Sequence, residues 1–150
     1  MTDITNNQNK LEFTSDLEKL IETVIEKAFE YENVEPRNVS VLICDNDEIK
    51  KLNGQFRGID SPTDVLSFPM YDEDGELDPD ELGDIVISLE RAAAQAEEFG
   101  HSLRREVAFL TAHSMLHLFG YDHIDDSERE EMFEKQEEIL AQLGITRGEN

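Results

Sequence analysis

Cysteine occurs once in 150 residues, at Cys44, so no disulfide can form within the chain and the fold must rest on its core and hydrogen bonds. Basic residues are scarce: 13 Lys and Arg stand against 36 Asp and Glu, and 13 − 36 leaves a formal charge of −23. A surface of that sign repels a polyanion on average. This excludes non-specific electrostatic attachment to nucleic acid, and any such partner must be drawn to a local basic or metal-bearing site. Long apolar runs are missing as well. None approaches the roughly 18 residues of a membrane span, and the polar stretch Met1 to Lys10 has no apolar segment of the signal-peptide kind. The expectation is a cytoplasmic chain with no membrane partner, its one thiol suited to a reducing compartment.

What is present is enough apolar material for one core: 38% of 150 residues, about 57 side chains, suits a single ordinary domain and leaves no room for a second large one. We therefore expect one domain over 1–150, with residues 1–10 and 146–150 as flexible ends. Ser15 and Glu18 have capping-box spacing, and Leu17, Leu20, Ile21, Val24, Ile25, Ala28 and Phe29 follow as one helical stripe. Val39 to Cys44 is a β-branched run of strand length, and Asp45 to Leu52 suggests a short helix ending near Asn53-Gly54. Val65 to Phe68 and Ile85 to Ile87 are strand-like. Between them, Tyr71 to Leu82 carries seven carboxylates and no basic residue, as expected of a solvated loop. Leu89 to Glu98 forms a helical face that stops at Gly100, and Ser102 to about Phe119 reads as a central, unusually apolar helix. A further capping-box pattern at Ser127 and Glu130 starts a last helix, along which Met132, Phe133, Gln136, Ile139, Leu140 and Leu143 form one face. The expected class is α+β, helices packed on a small mixed sheet.

Three of the four histidines lie within eleven residues, His113-Ser114-Met115-Leu116-His117-Leu118-Phe119-Gly120-Tyr121-Asp122-His123. His113 and His117 are i and i+4 on a helix, so both imidazoles stand on one face. Gly120 tolerates positive φ, which lets the chain fold back and bring His123 to the same point. Three neutral imidazoles with one open position suit a single catalytic Zn²⁺, although nickel, cobalt or copper also bind such a set. The spacing is that of metzincin proteases, H-E-x-x-H-x-x-G-x-x-H, with Ser114 where those enzymes have their general base. Serine cannot do that work unaided, which disfavours peptide hydrolysis. An open zinc still acidifies its water and polarises a phosphoryl oxygen, so phosphodiester cleavage stays available. His101, beside Gly100 at a helix junction, is not assigned as a ligand.

A second informative stretch runs from Leu52 to Pro69 and reads as a turn-rich loop entering a strand. Arg57, between Phe56 and Gly58, has the planar fork that recognises phosphate oxygens; pairing with Asp60 or Asp64 is the plainer reading. Lys50 and Lys51 form the neighbouring basic cluster. Arg104 and Arg105 form another, which can equally balance surrounding carboxylates.

Together, the histidine segment, Phe56-Arg57-Gly58-Ile59-Asp60-Ser61-Pro62-Thr63-Asp64-Val65-Leu66-Ser67-Phe68-Pro69 and Gly83-Asp84-Ile85-Val86-Ile87-Ser88 resemble the YbeY rRNA maturation factors, bacterial metal-dependent endoribonucleases. The resemblance spans roughly residue 11 to the end. It implies a zinc-bearing α+β fold, cleavage of single-stranded RNA, maturation of the small-subunit ribosomal RNA 3′ end and ribosome quality control, with the small subunit and its assembly factors as partners. By position it implies His113, His117 and His123 as zinc ligands and Arg57 as the active-site arginine. Ser114 departs from the family pattern, where glycine is usual. The leading expectation is a zinc endoribonuclease in which His113 and Arg57 are catalytic, and Arg57, Lys50 and Lys51 bind single-stranded RNA, not DNA. The competing one is a zinc-stabilised ribosome-assembly module that binds without cutting.

Overall fold

The computed structural model describes residues 2–58, 64–71, 73–76, 78–121 and 125–145, with Arg57 described by its backbone alone. Nine elements follow one another: β1 (Thr2–Asn6), α1 (Ser15–Glu32), β2 (Asn38–Cys44), α2 (Asn46–Arg57), β3 (Val65–Pro69), β4 (Glu81–Ser88), α3 (Leu89–Phe99), α4 (Leu103–Leu118) and α5 (Asp126–Gln142). The strands form one sheet in the order β1-β2-β4-β3. β1, β2 and β4 are parallel, and β3 is antiparallel to β4 at the edge, so the sheet is mixed. The α+β architecture is as the sequence suggested.

Alternation along the strands divides the core in two. Val39, Val41, Ile43, Ile85 and Ile87 face a layer built by α1, α4 and α5, whereas Cys44, Leu66 and Val86 face Ile49 and Leu52 of α2. The seven stripe residues of α1 are all buried. α4 is buried nearly all round, from Arg105 to Leu118. A helix that apolar must lie inside, and α4 packs against the sheet, α1, α3 and α5 at once. Its N-terminus is capped by Ser102, whose Oγ accepts from the Arg105 amide at 3.1 Å.

Several boundaries differ from the sequence reading. Residues 1–10 are not a flexible end throughout, because Thr2–Asn6 pairs in parallel with β2 as an outer strand. One apolar residue, Ile4, packs on the core from this strand, too little for a period to show. The cap of α1 is Thr14 and not Ser15, and that of α5 is Asp125 and not Ser127. α2 runs straight through Asn53-Gly54 to Arg57 and ends in a left-handed Gly58. Buried Ile49 and Asn53, and the Phe56 ring set edge-on to Phe68 at 5.5 Å, hold the extra turn. They offset the roughly 1 kcal/mol that a mid-helix glycine costs. Residues 52–57, expected in a loop, are therefore helical. At the other end of the acidic stretch, Glu81 and Leu82 belong to β4, with Leu82 buried.

Candidate metal centre

The last two turns of α4 carry His113 and His117. Their Nε2 atoms approach to 3.0 Å and their rings cross at 81°. Two nitrogens bound at about 2.0–2.1 Å to one tetrahedral ion would lie roughly 3.3 Å apart, so this convergence fits a shared cation. The opposite side of each ring is held. His117 Nδ1 donates to the Tyr121 carbonyl at 3.1 Å, which leaves the Nε2 lone pair facing His113. That carbonyl is in place because Gly120 adopts φ 104° just past the helix, and the Tyr121 amide returns to the Leu116 carbonyl at 3.0 Å. The sharp exit expected of Gly120 is therefore present.

His113 is sandwiched differently. Phe109, one turn earlier, stacks on it with centroids 6.5 Å apart and planes 13° from parallel. From α5, the Gln136 carboxamide contacts Nδ1. Sequence reasoning placed Gln136 on the packing face of the last helix and gave it no role. The available signal was a polar amide at a stripe position, and it is indeed 3% exposed. Lys135, the residue before it, reaches the other histidine indirectly: its Nζ lies 5.1 Å above the Tyr121 ring and 3.4 Å from Glu32. The Glu32 carboxylate beside the Tyr121 hydroxyl, with burial, raises that phenol above its ordinary range.

His123, the expected third ligand, lies outside the described residues, as does Asp60. Among the described residues no cluster of three potential ligands occurs, so the geometry supplies a convergent pair. Ser114 is fully buried, and among the described residues its Oγ has no hydrogen-bond partner. Arg57 closes α2, two turns beyond Lys50 on the same helix face. Lys50 and Lys51 are exposed on α2, which covers the sheet face opposite α4.

Down the same face of α4, two turns before His113, Glu106 is 5% exposed. With its amide nitrogen turned towards the two carboxylates, Gln95 donates to Glu106 Oε1 at 3.1 Å and to Asp64 Oδ2 at 3.2 Å, tying α3, α4 and the start of β3 together. Burial pushes the Glu106 carboxyl up, and the Asp64 carboxylate pushes it further, against the opposing pull of Arg105. Arg105 itself is 3% exposed and pairs with Glu137 of α5 at 3.1 Å, the plainer reading of that basic pair. Phe109, Glu106, Arg105 and His101 line a cavity of about 580 Å³ between these helices.

Residues 3–144 match the family model described as Endoribonuclease YbeY. A relative in Thermoanaerobacter sp. (strain X514), named Endoribonuclease YbeY, is 52% identical over 156 residues, covering 96% of this chain and 98% of its own length. One in Clostridioides difficile (strain 630), of the same name, is 49% identical over 146 residues and 95% of each chain. The solution structure of TM1509 from Thermotoga maritima superposes with a TM-score of 0.63 at 36% identity, over 96% of this chain and 92% of that one.

Proposed function

Since the chain belongs to the YbeY endoribonuclease family, we propose that it cuts single-stranded RNA at one Zn²⁺ held by His113, His117 and His123. The RNA is ribosomal, and the work is maturation of the small-subunit 3′ end and ribosome quality control in the cytoplasm, beside the small subunit and its assembly factors. The observation that carries the metal reading is the approach of His113 Nε2 to His117 Nε2, with His117 already fixed by Tyr121. When bound, the ion supplies a Lewis acid for a phosphoryl oxygen and acidifies a water.

The protein's own groups do the rest. Arg57, always charged and forked, takes up the negative charge that accumulates on the equatorial oxygens as the phosphorus becomes five-coordinate. It stands at the end of α2, next to the positive-φ Gly58. Lys50 and Lys51 give α2 a local positive field within a chain of net charge −23. Exposed single strands are the fitting substrate, because an unpaired phosphate can be turned towards a recessed centre.

The test is cleavage of an unstructured RNA by the full chain. His113→Ala, His117→Ala, His123→Ala and Arg57→Ala should each lower kcat/KM by about 100-fold or more, while Lys50→Ala and Lys51→Ala raise KM. Folded variants of all four that cut at the parent's rate would remove these residues from the reaction.

A further inference from the structure

We infer that Gln136 is the positioning residue of the metal centre, selecting through its carboxamide which nitrogen of His113 is free to bind the ion. The inference rests on the reading of His113 and His117 as ligands through Nε2. A neutral imidazole carries one proton, so a ligand bound through Nε2 must carry that proton on Nδ1. For His117 the matter is settled by the backbone: the Tyr121 carbonyl accepts, and only accepts, so Nδ1 carries hydrogen. At His113 the group that meets Nδ1 is a side chain. That Nδ1 is met by Nε2 of the Gln136 amide, a planar group whose accepting oxygen would take that place after a half-turn.

The two faces of that amide have opposite consequences. With Nε2–H towards Nδ1, the His113 proton is driven onto its own Nε2, into the 3.0 Å gap towards His117, where it competes with a cation. With Oε1 towards Nδ1, the Nδ1–H tautomer is held and both Nε2 lone pairs converge. A half-turn of the amide is therefore a selector of the ligand form. The side chain is 3% exposed, so water cannot substitute for it. α5 thus braces both ligands from consecutive residues: Lys135 packs over Tyr121, whose carbonyl holds His117, and Gln136 holds His113 directly. Phe109 stacked on the His113 ring restrains its rotation, which leaves the amide's direction as the free variable.

The test uses the full chain carrying zinc, with affinity measured by competition against a chromophoric chelator. The His113 Nδ1–H is followed by nitrogen-15 NMR and its exchange with water. Gln136→Met, close in volume and unable to hydrogen-bond, should weaken zinc by about 10- to 100-fold and speed exchange of that proton at least as much. Gln136→Glu, which can only accept, should bind zinc at least as tightly as the parent and keep the proton protected. A folded Gln136→Met protein with unchanged affinity and exchange overturns the inference. So does Gln136→Glu binding tenfold more weakly than the parent, and this second variant decides if the first does not fold. Parent affinity retained in His113→Ala would instead overturn the ligand reading, and this inference with it.

Discussion

Gly83 of β4 lies beneath Leu118 at the end of α4: a Cβ on Gly83 would stand 2.8 Å from Leu118 Cδ2 and closer still to the Phe68 carbonyl oxygen. The sheet thus approaches the histidine helix at a point where no side chain fits, one residue after His117. Gly83→Ala forces the β3–β4 ladder or the end of α4 to move. We expect a loss of about 1–3 kcal/mol in urea unfolding, as for other overpacked cores. Because Leu118 is pushed, zinc affinity should fall in the same variant. An unchanged unfolding midpoint would show that the strands absorb the methyl and that this contact does not position α4.

Glu106 sets a slope in the pH dependence of stability. Its carboxyl is raised above its ordinary value of 4.5 by burial first and by Asp64 second. The folded protein then binds a proton there more tightly than the unfolded chain. The contribution is fully present below the ordinary value and is lost as pH rises through the raised one. Glu106→Gln keeps the shape and an acceptor for Gln95 and removes the ionisation. The variant should gain stability relative to the parent as pH is raised from 4 to 8. Chemical unfolding across that range checks it, and a difference independent of pH would show that Glu106 ionises as it does in the unfolded chain.

Arg105 and Glu137 should respond unequally to truncation. Arg105 is 3% exposed, and among the described residues its Nε and Nη1 have no hydrogen-bond partner, whereas the Glu137 side chain is 22% exposed and open to water. Glu137→Leu strands a buried cation, at a cost of about 3–5 kcal/mol by analogy with broken buried pairs. Arg105→Met leaves a carboxylate that is 22% exposed and can hydrate, and it removes two donors that have no acceptor among the described residues, so its cost should be about 1 kcal/mol or less. Equal losses in thermal unfolding would contradict this ordering.

The helices of this fold were legible where one face is apolar and the other acidic. α1 is the clearest case, because its seven stripe residues are its seven buried ones. Gly100 and Gly120 were legible too, as backbone positions that need positive φ. The i, i+4 histidines were found because two imidazoles on one helix face are rare in a chain with four. β1 was not legible: Thr2–Asn6 is held by ladder hydrogen bonds to β2, and ladder bonds leave no mark on side-chain pattern. Nor was the continuation of α2 past Gly54, which tertiary packing of Phe56 on Phe68 decides. Gln136 escaped because its role depends on a contact across 23 residues between two helices, and sequence spacing carries no such distance.

The acidity of the chain should be visible in its salt dependence. With 36 carboxylates and 13 basic side chains, a long-range repulsion opposes RNA, and on the function proposed above Lys50, Lys51 and Arg57 attract it only nearby. The screening length falls from about 30 Å at 0.01 M salt to about 10 Å at 0.1 M, so added salt weakens the distant repulsion before it weakens contacts at the site. kcat/KM for RNA should therefore rise several-fold between 10 and 100 mM monovalent salt. It should fall only later, when counterions compete for the phosphates directly. Replacing Lys50 and Lys51 together with alanine should steepen the rise, since the attraction that partly cancels the repulsion is lost. A steady fall from 10 mM upward, the behaviour of a basic nuclease, would mean that RNA lands on a cationic surface strong enough to outweigh the rest of the molecule.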